Sequence, residues 1–265
     1  MPESQVYTYV FILSRDENKR EELIRQEIKK NIPSPIDELI YSYRVLSLNE
    51  KTEEVFVVIS KKEVVLEWKN FFEKIKINVT MFDIETLATF RGLLIEKEIR
   101  PVCVVDIGSV TTNIAIFDQN GLRHSHVVLK AGDFFTQKIS DKLKLSFEKA
   151  EDKKMKADLS KKGDVNNILK KELKIIAKEI QLILEYFIRQ INENPKLIIF
   201  VGGSSKIKGL AKYMSTCLKK EVFTLYPVLE KKNLDSTYLE AVGLALRNID
   251  NSWDKKDPIL NKEKF

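Results

Sequence analysis

An acidic side chain, a length of bare backbone and three hydroxyls come together at Asp106, Gly108, Ser109, Thr111 and Thr112, inside the stretch VVDIGSVTTNIAIFDQNG (104–121). A strand-like run ends there and restarts a few residues later, where a plain hairpin would turn on Asn-Gly or Asp-Gly. A carboxylate at the C-terminal end of a strand, followed by glycine and hydroxyls, suits a water-shelled Mg²⁺ and a terminal phosphate, with Asp106 facing the metal. A polar hairpin corner held by an Asx-type bond explains the same residues, so this stretch alone leaves both readings open.

A second candidate is FVGGSSKIKGL (200–210). An apolar strand delivers Gly202 and Gly203, and a helix is expected to begin at Ser204 or Ser205, with Lys206 close behind. Glycines let a ligand approach the backbone, and a first helical turn offers free N–H groups at a positive dipole end. A tight strand-to-helix turn with a serine cap is the plainer account. No Gly-Lys-Ser/Thr closes the loop, so it is not a Walker loop, and the third glycine of a dinucleotide fingerprint is out of register.

The elements around these motifs follow from periodicity. QVYTYVFIL (5–13) reads as a strand and 17–31 as a charged helix stopped by Pro33 and Pro35. ELIYSYRVLSL and EEVFVVISKK read as strands joined by NEKT, and 61–75 as a helix with Val64, Val65, Trp68, Phe71, Phe72 and Ile75 along one side. That aromatic stripe is expected to be core. A short strand, NVTMFDI, and a helix over 84–97 complete the first region. After Pro101 come VCVVDIG, TNIAIFD and LRHSHVVLK, then a helix from Gly132-Asp133 that is followed, over 148–163, by a helix fading into a surface loop. A long amphipathic helix spans 164–192, KLIIF is a strand apolar on both faces and so buried beneath helices, and the last clear helix covers 236–249. The tail from Asn251 is charged.

Composition narrows the classes. Apolar residues make up 43% and charged residues 32%, as in a soluble globular chain rather than a disordered one. The net charge of +6 comes from 45 basic against 39 acidic residues spread along helix faces, not from a basic stripe, so no nucleic-acid partner is expected. Cys103 and Cys217 stand far apart in apolar segments, like small core residues in a reducing compartment. No apolar run reaches the ~20 residues of a membrane span, so no direct membrane insertion is expected and the location read is cytoplasmic. His124 and His126 share one face of a strand and lack a third ligand nearby, which makes them a surface pair. Glu85, Glu96 and Glu98 could position an attacking water, with plain charged helix surface as the simpler reading.

Together the two candidate motifs say more. DIGSVTT, followed about 95 residues later by VGGSSKIKGL, resembles the second phosphate motif and the adenosine motif of the actin-like ATPase superfamily. Between them Gly132, Thr136 and Ile139, then Ala150, Glu151 and Lys154, are similar to the superfamily's Gly…Thr…Ile and Ala-Glu-x-x-Lys signatures. Ile24, Glu27, Ile32 and Pro33, then Asp83, Ala88 and Arg91, resemble the inserted subdomain and following helix of the PilM family of type IV pilus assembly. FtsA, the division protein, is the alternative; its amphipathic membrane helix finds no match in NSWDKKDPILNKEKF, which Pro258 interrupts.

The resemblance implies an α/β fold: an actin-like ATPase (RNase H-like) lobe, subdomains 2A/2B, over 100–250, and an SHS2-like 1C subdomain over 1–83. A helix of a truncated subdomain 1A covers 84–99 and a flexible tail 251–265. It implies ATP or ADP with Mg²⁺, held by Asp106, Gly108, Ser109, Thr111, Thr112, Gly132, Glu151, Lys154, Gly202, Gly203, Ser204 and Lys206. Glu151 and Lys154 would approach the ribose and adenine. The implied role is a scaffold at the inner face of the plasma membrane, with weak or absent turnover. It would dock the N-terminal tail of a PilN-like inner-membrane protein and meet other pilus assembly proteins. The family's first strand-Asp-x-Gly motif finds no match. The apolar residues of the 84–97 helix (Ile84, Leu87, Ala88, Leu93, Leu94, Ile95) are therefore expected to face water and to drive self-association.

Overall fold

The computed structural model describes residues 1–93, 100–195, 197–224, 228–229, 232–233, 236–247 and 260–261. Two sheets organise the chain. The first is antiparallel, in the order β1-β3-β2: β1 (Val6–Ser14), β2 (Leu39–Leu48) and β3 (Thr52–Lys61). Strand alternation sorts β3 cleanly. Val55, Val57 and Ile59 face α1 (Arg20–Asn31), where Ile24 and Ile28 are fully buried. Phe56 and Val58 face the other way, into the rest of the molecule. Helix α2 (Lys62–Lys74) follows β3 directly, and β4 is only Met81–Phe82.

The second sheet runs β7-β6-β5-β8-β9, with β5 (Val102–Ile107), β6 (Thr112–Asp118), β7 (Gly121–Val128), β8 (Leu197–Val201) and β9 (Val222–Thr224). The β7-β6-β5 half is antiparallel; β8 and β9 add to β5 in parallel. Both faces are covered, as the apolar KLIIF run predicts. Cys103, Val105, Ile107, Ile114, Ile116, Ile198 and Phe200 meet α4 (Gly132–Leu143), α6 (Asp164–Ile191) and α7 (Leu210–Leu218). Between α4 and α6 lies α5 (Phe147–Met155). Val102, Val104, Ala115, Phe117, Ile199 and Val201 meet α3 (Glu85–Gly92) together with Phe56 and Val58. A small hairpin, β10 (Val228–Leu229) and β11 (Lys232–Asn233), precedes α8 (Leu239–Leu246).

The structure corrects four expectations. Ile84, Leu87, Ala88 and Leu93 do not face water: they are buried on the five-stranded sheet and under α8. The reason is a backbone-to-backbone crossing. A Cβ on Gly243 would stand 1.7 Å from the Ala88 carbonyl oxygen, and one on Gly92 2.4 Å from that of Leu239, so α3 and α8 touch where neither has a side chain. The argument for self-association from this helix falls with it; Leu94 and Ile95 lie outside the described residues. The α2 stripe is only partly core: Val65 is buried, but Phe71 and Ile75 are about half exposed, because α2 has only Ile40 and Phe82 of the fully buried core beneath it. The 148–163 segment leaves its helix after Met155, as expected, but becomes a surface loop only at 160–163. Ala157, Asp158 and Leu159 are buried, and Asp158 bridges Lys208. Finally, Leu260–Asn261 of the tail forms a strand, β12, antiparallel to β4.

Candidate functional site

Because β5 and β8 are parallel neighbours, with Asp106 opposite Val201, their C-terminal ends emerge side by side. That places the Asp106 corner and the Gly202-Gly203 turn in contact. Gly202 sits at φ +82°, and a Cβ there would lie 2.2 Å from Asp106 Oδ1 and 2.7 Å from the Ile107 carbonyl oxygen. Only glycine allows this approach. The β5–β6 corner closes through Gly108 N–H to the Thr111 carbonyl (3.0 Å). Helix α4 is tied to it by Gly132 N–H to Gly108 O (2.9 Å) and Asp133 N–H to Ser109 O (2.8 Å).

Helix α5 starts at Ser146, whose hydroxyl accepts from Lys149 N–H, and presents Glu151 and Lys154 on one side. Lys154 is buried; its Nζ donates to Glu151 Oε2 (2.7 Å) and to the Gly132 carbonyl (2.9 Å). Thr136 Oγ1 donates to the same Glu151 oxygen. These residues wall a cavity of about 230 Å³ with Gly108, Ser109, Gly132, Gly203, Ser204 and Lys206. A second cavity, about 420 Å³, holds Asp106, Thr111, Gly202, Glu85, Asn113 and Glu240. Gly108, Ser109, Gly203 and Thr237 line both, so the two are halves of one cleft.

The halves differ in charge. The first balances Lys154 and Lys206 against Asp133 and Glu151. The second carries three carboxylates and, among its described lining residues, no lysine or arginine. Burial, and then Glu85 and Glu240, push the Asp106 carboxyl up to about 7. Glu240 is likewise raised, by burial and then by Glu85. A cation would relieve this repulsion, and Asp106 with the corner hydroxyls fits a hydrated Mg²⁺. No group of three metal-ligating side chains occurs among the described residues, so protein ligands alone do not build a closed metal cage.

Eleven of the twelve sequence-predicted residues line this cleft. Thr112 does not: its hydroxyl donates to the Lys130 carbonyl (2.7 Å) inside the sheet. The helix expected at Ser204 or Ser205 is a 3-10 turn, Gly203–Lys206; Ser205 Oγ holds it to the Gly202 carbonyl (2.8 Å), and α7 begins only after Gly209 at φ +82°. Glu85 is in the cleft and accepts from Asn113 Nδ2, whereas Glu96 and Glu98 lie outside the described residues. His126 is exposed and faces Glu179, and His124 rests against Tyr186; neither belongs to a metal group. Asn113, Thr237 and Glu240 escaped the sequence reading. Asn113 had a findable signal, since the hairpin register sets it directly opposite Asp106.

No helix among the described residues is long and apolar enough to cross a membrane. Local similarity to cell division protein FtsA reaches 40% identity over 74 residues in Pseudomonas aeruginosa and 34% over 92 residues in Buchnera aphidicola. These matches take in 28% and 35% of this chain, and 18% and 21% of the FtsA chains, so the matched part spans about a fifth of those relatives. Among solved structures, a PilM-PilN type IV pilus biogenesis complex superposes with a TM-score of 0.80 at 23% identity, over 94% of this chain and 78% of that one. MreB5 of Spiroplasma citri bound to AMPPNP gives 0.57 at 18%, over 70% and 64%. At those identities the likeness establishes an actin-like α/β fold. The family profile described as "Type IV pilus assembly protein PilM" matches residues 1–249, and the chain belongs to that family.

Proposed function

We propose that this chain is a cytoplasmic scaffold of type IV pilus, or related secretion, assembly that binds an adenine nucleotide with Mg²⁺ and turns it over weakly or not at all. The observation that carries the nucleotide reading is convergence: residues from the β5–β6 corner, the start of α4, α5 and the β8 turn, remote in sequence, line one cleft. Lys154 and Glu151 suit the ribose and adenine side, and Asp106, Ser109 and Thr111 the phosphate side. Mg²⁺ would supply positive charge where the cleft has three carboxylates and no described basic group. Without it a polyphosphate meets like charge, so binding should depend on Mg²⁺. Glu85, held by Asn113, is the carboxylate placed to orient a water.

Calorimetry with ATP and Mg²⁺ tests the site. Wild type should bind, and Lys154→Met should lose about tenfold in affinity, ~1.4 kcal/mol. No binding of ATP or ADP up to about 5 mM would overturn the nucleotide reading. The scaffold reading has a separate test. The likeness to a PilM-PilN complex supports a PilN-type partner, whose tail would dock beside the three-stranded sheet. A photo-crosslinking peptide from the N-terminus of a PilN-type protein should label within residues 1–100. Labelling confined to residues beyond 150 would overturn it.

A further inference from the structure

Helices α6 and α7 lie side by side over the sheet face opposite α3. Tyr213 Oη donates to the Lys170 carbonyl (2.7 Å), and Gln181 Nε2 to the Cys217 carbonyl (3.3 Å). Their inward sides supply Leu169, Leu173, Ile176, Leu210 and Met214 to the core. Their outward sides are lysine. Lys171, Lys174 and Lys178 are exposed at spacings of three and four, on one face of α6. Lys170 is half-buried, with its Nζ 5.9 Å from the centre of the Tyr213 ring. On α7 Lys212 is exposed, and Lys219 is exposed at its end. None of these lysines pairs with a carboxylate among the described residues. Glu172, the one carboxylate within 165–178, is buried, and 210–220 has none.

The net charge of the chain originates on this face. Residues 165–178 and 210–220 hold seven lysines against one carboxylate, and the whole chain 45 basic against 39 acidic residues, so everything outside the two segments balances at 38 of each. Along the sequence the lysines look scattered, because β8 separates the two segments; the fold sets them on one layer. An ordinary solvated face intersperses both signs, and like charges one helical turn apart repel. An unmixed lysine face is therefore built for an anionic partner.

We propose that the outward face of α6 and α7 is a peripheral docking surface for an anionic phospholipid membrane, held electrostatically with no helix entering the bilayer. Charge complementarity selects the partner. Ammonium groups on flexible stems are point charges that suit an array of phosphates without fixed geometry. The same helix adds contacts suited to the headgroup level: Leu182, one turn past Lys178, is 61% exposed, and Tyr186 follows it at 49%. Glu185, the exposed carboxylate between them, is paired with Arg189 (3.4 Å). Nucleic acid fits less well. Neither segment contains an arginine to read base edges, and Tyr213 is half-buried beneath Lys170 rather than open for stacking.

Vesicle sedimentation of the full chain tests this without nucleotide or protein partner. Phosphatidylcholine vesicles with about 30% phosphatidylglycerol should pull the chain down, whereas pure phosphatidylcholine should not. Raising the salt from about 50 mM to about 500 mM should release it. Lys171→Glu, Lys174→Glu and Lys178→Glu together should weaken binding at least about tenfold with circular dichroism unchanged. The same charge change at the exposed Lys29, Lys51 and Lys62, in and around the three-stranded sheet, should cost no more than about threefold. No sedimentation with the anionic vesicles, equal binding to both kinds, or equal losses in the two triple variants would overturn the membrane face. So would tighter retention by double-stranded DNA or polyglutamate than by vesicles at matched charge.

Discussion

Gly202→Ala separates a ligand-shaped turn from an ordinary loop, because its neighbour Gly203 is a built-in control. Alanine at φ +82° incurs roughly 1–2 kcal/mol from the left-handed backbone alone. Its methyl would also lie 2.2 Å from Asp106 Oδ1 and 2.7 Å from the Ile107 carbonyl oxygen. The carboxylate can swing, but the carbonyl belongs to β5 and moves only with the strand, so the combined cost is ~2–4 kcal/mol. For a chain of this size each kcal/mol lowers the melting temperature by about 2–4 °C, giving a drop of roughly 4–16 °C. A Cβ on Gly203 meets only Thr237 Cγ2 at 3.9 Å, an ordinary contact. Gly203→Ala should therefore melt within about 3 °C of wild type, helped by a less flexible unfolded chain. Differential scanning calorimetry reads both. Nucleotide binding should disappear in Gly202→Ala, since Asp106 is displaced from the corner. If Gly202→Ala melts within about 2 °C of wild type, the close approach of the two turns does not govern the site.

Two further predictions rest on buried charge. Asp106 titrates near 7 in the fold against 3.8 when unfolded, so between those values the folded state holds more protons and stability must fall as pH rises from about 4 to about 7. Asp106→Asn should flatten that slope in urea titrations at several pH values and be the more stable protein at pH 8; a wild-type slope of the opposite sign that survives in the variant would refute it. Asp83 is buried and takes Arg91 (3.1 Å) and Arg247 (2.5 Å) on one oxygen, stitching α3 to the end of α8. Asp83→Asn deprives two buried guanidinium groups of their shared carboxylate and should cost about 3 kcal/mol in urea unfolding, whereas a shift under ~0.5 kcal/mol would mean that the cluster contributes nothing net.

The parts of the cleft that were legible in the sequence are those where a ligand, or a close approach to one, restricts residue type. Asp106, Gly108 and Gly202 had to be acidic or bare at strand ends, and the unbroken apolar runs VCVV and LIIFV show which buried strands could deliver them. What was not legible depends on which segments meet. Gly92 and Gly243 look like weak points of two helices, yet together they let α3 and α8 cross at backbone distance and carry Leu87 and Ala88 into the core. Periodicity sees one element at a time, so it could mark the 84–97 helix as apolar but not say what would cover it. The same crossing brings Glu240, on an apolar-looking helix, to the carboxylate end of the cleft beside Glu85. Helix packing and cleft electrostatics are therefore one problem here. A change that shifts α8 on α3 should alter the Asp106 titration without touching any residue of the phosphate corner, and Gly243→Ala, whose methyl would fall 1.7 Å from the Ala88 carbonyl oxygen, is the substitution that forces such a shift.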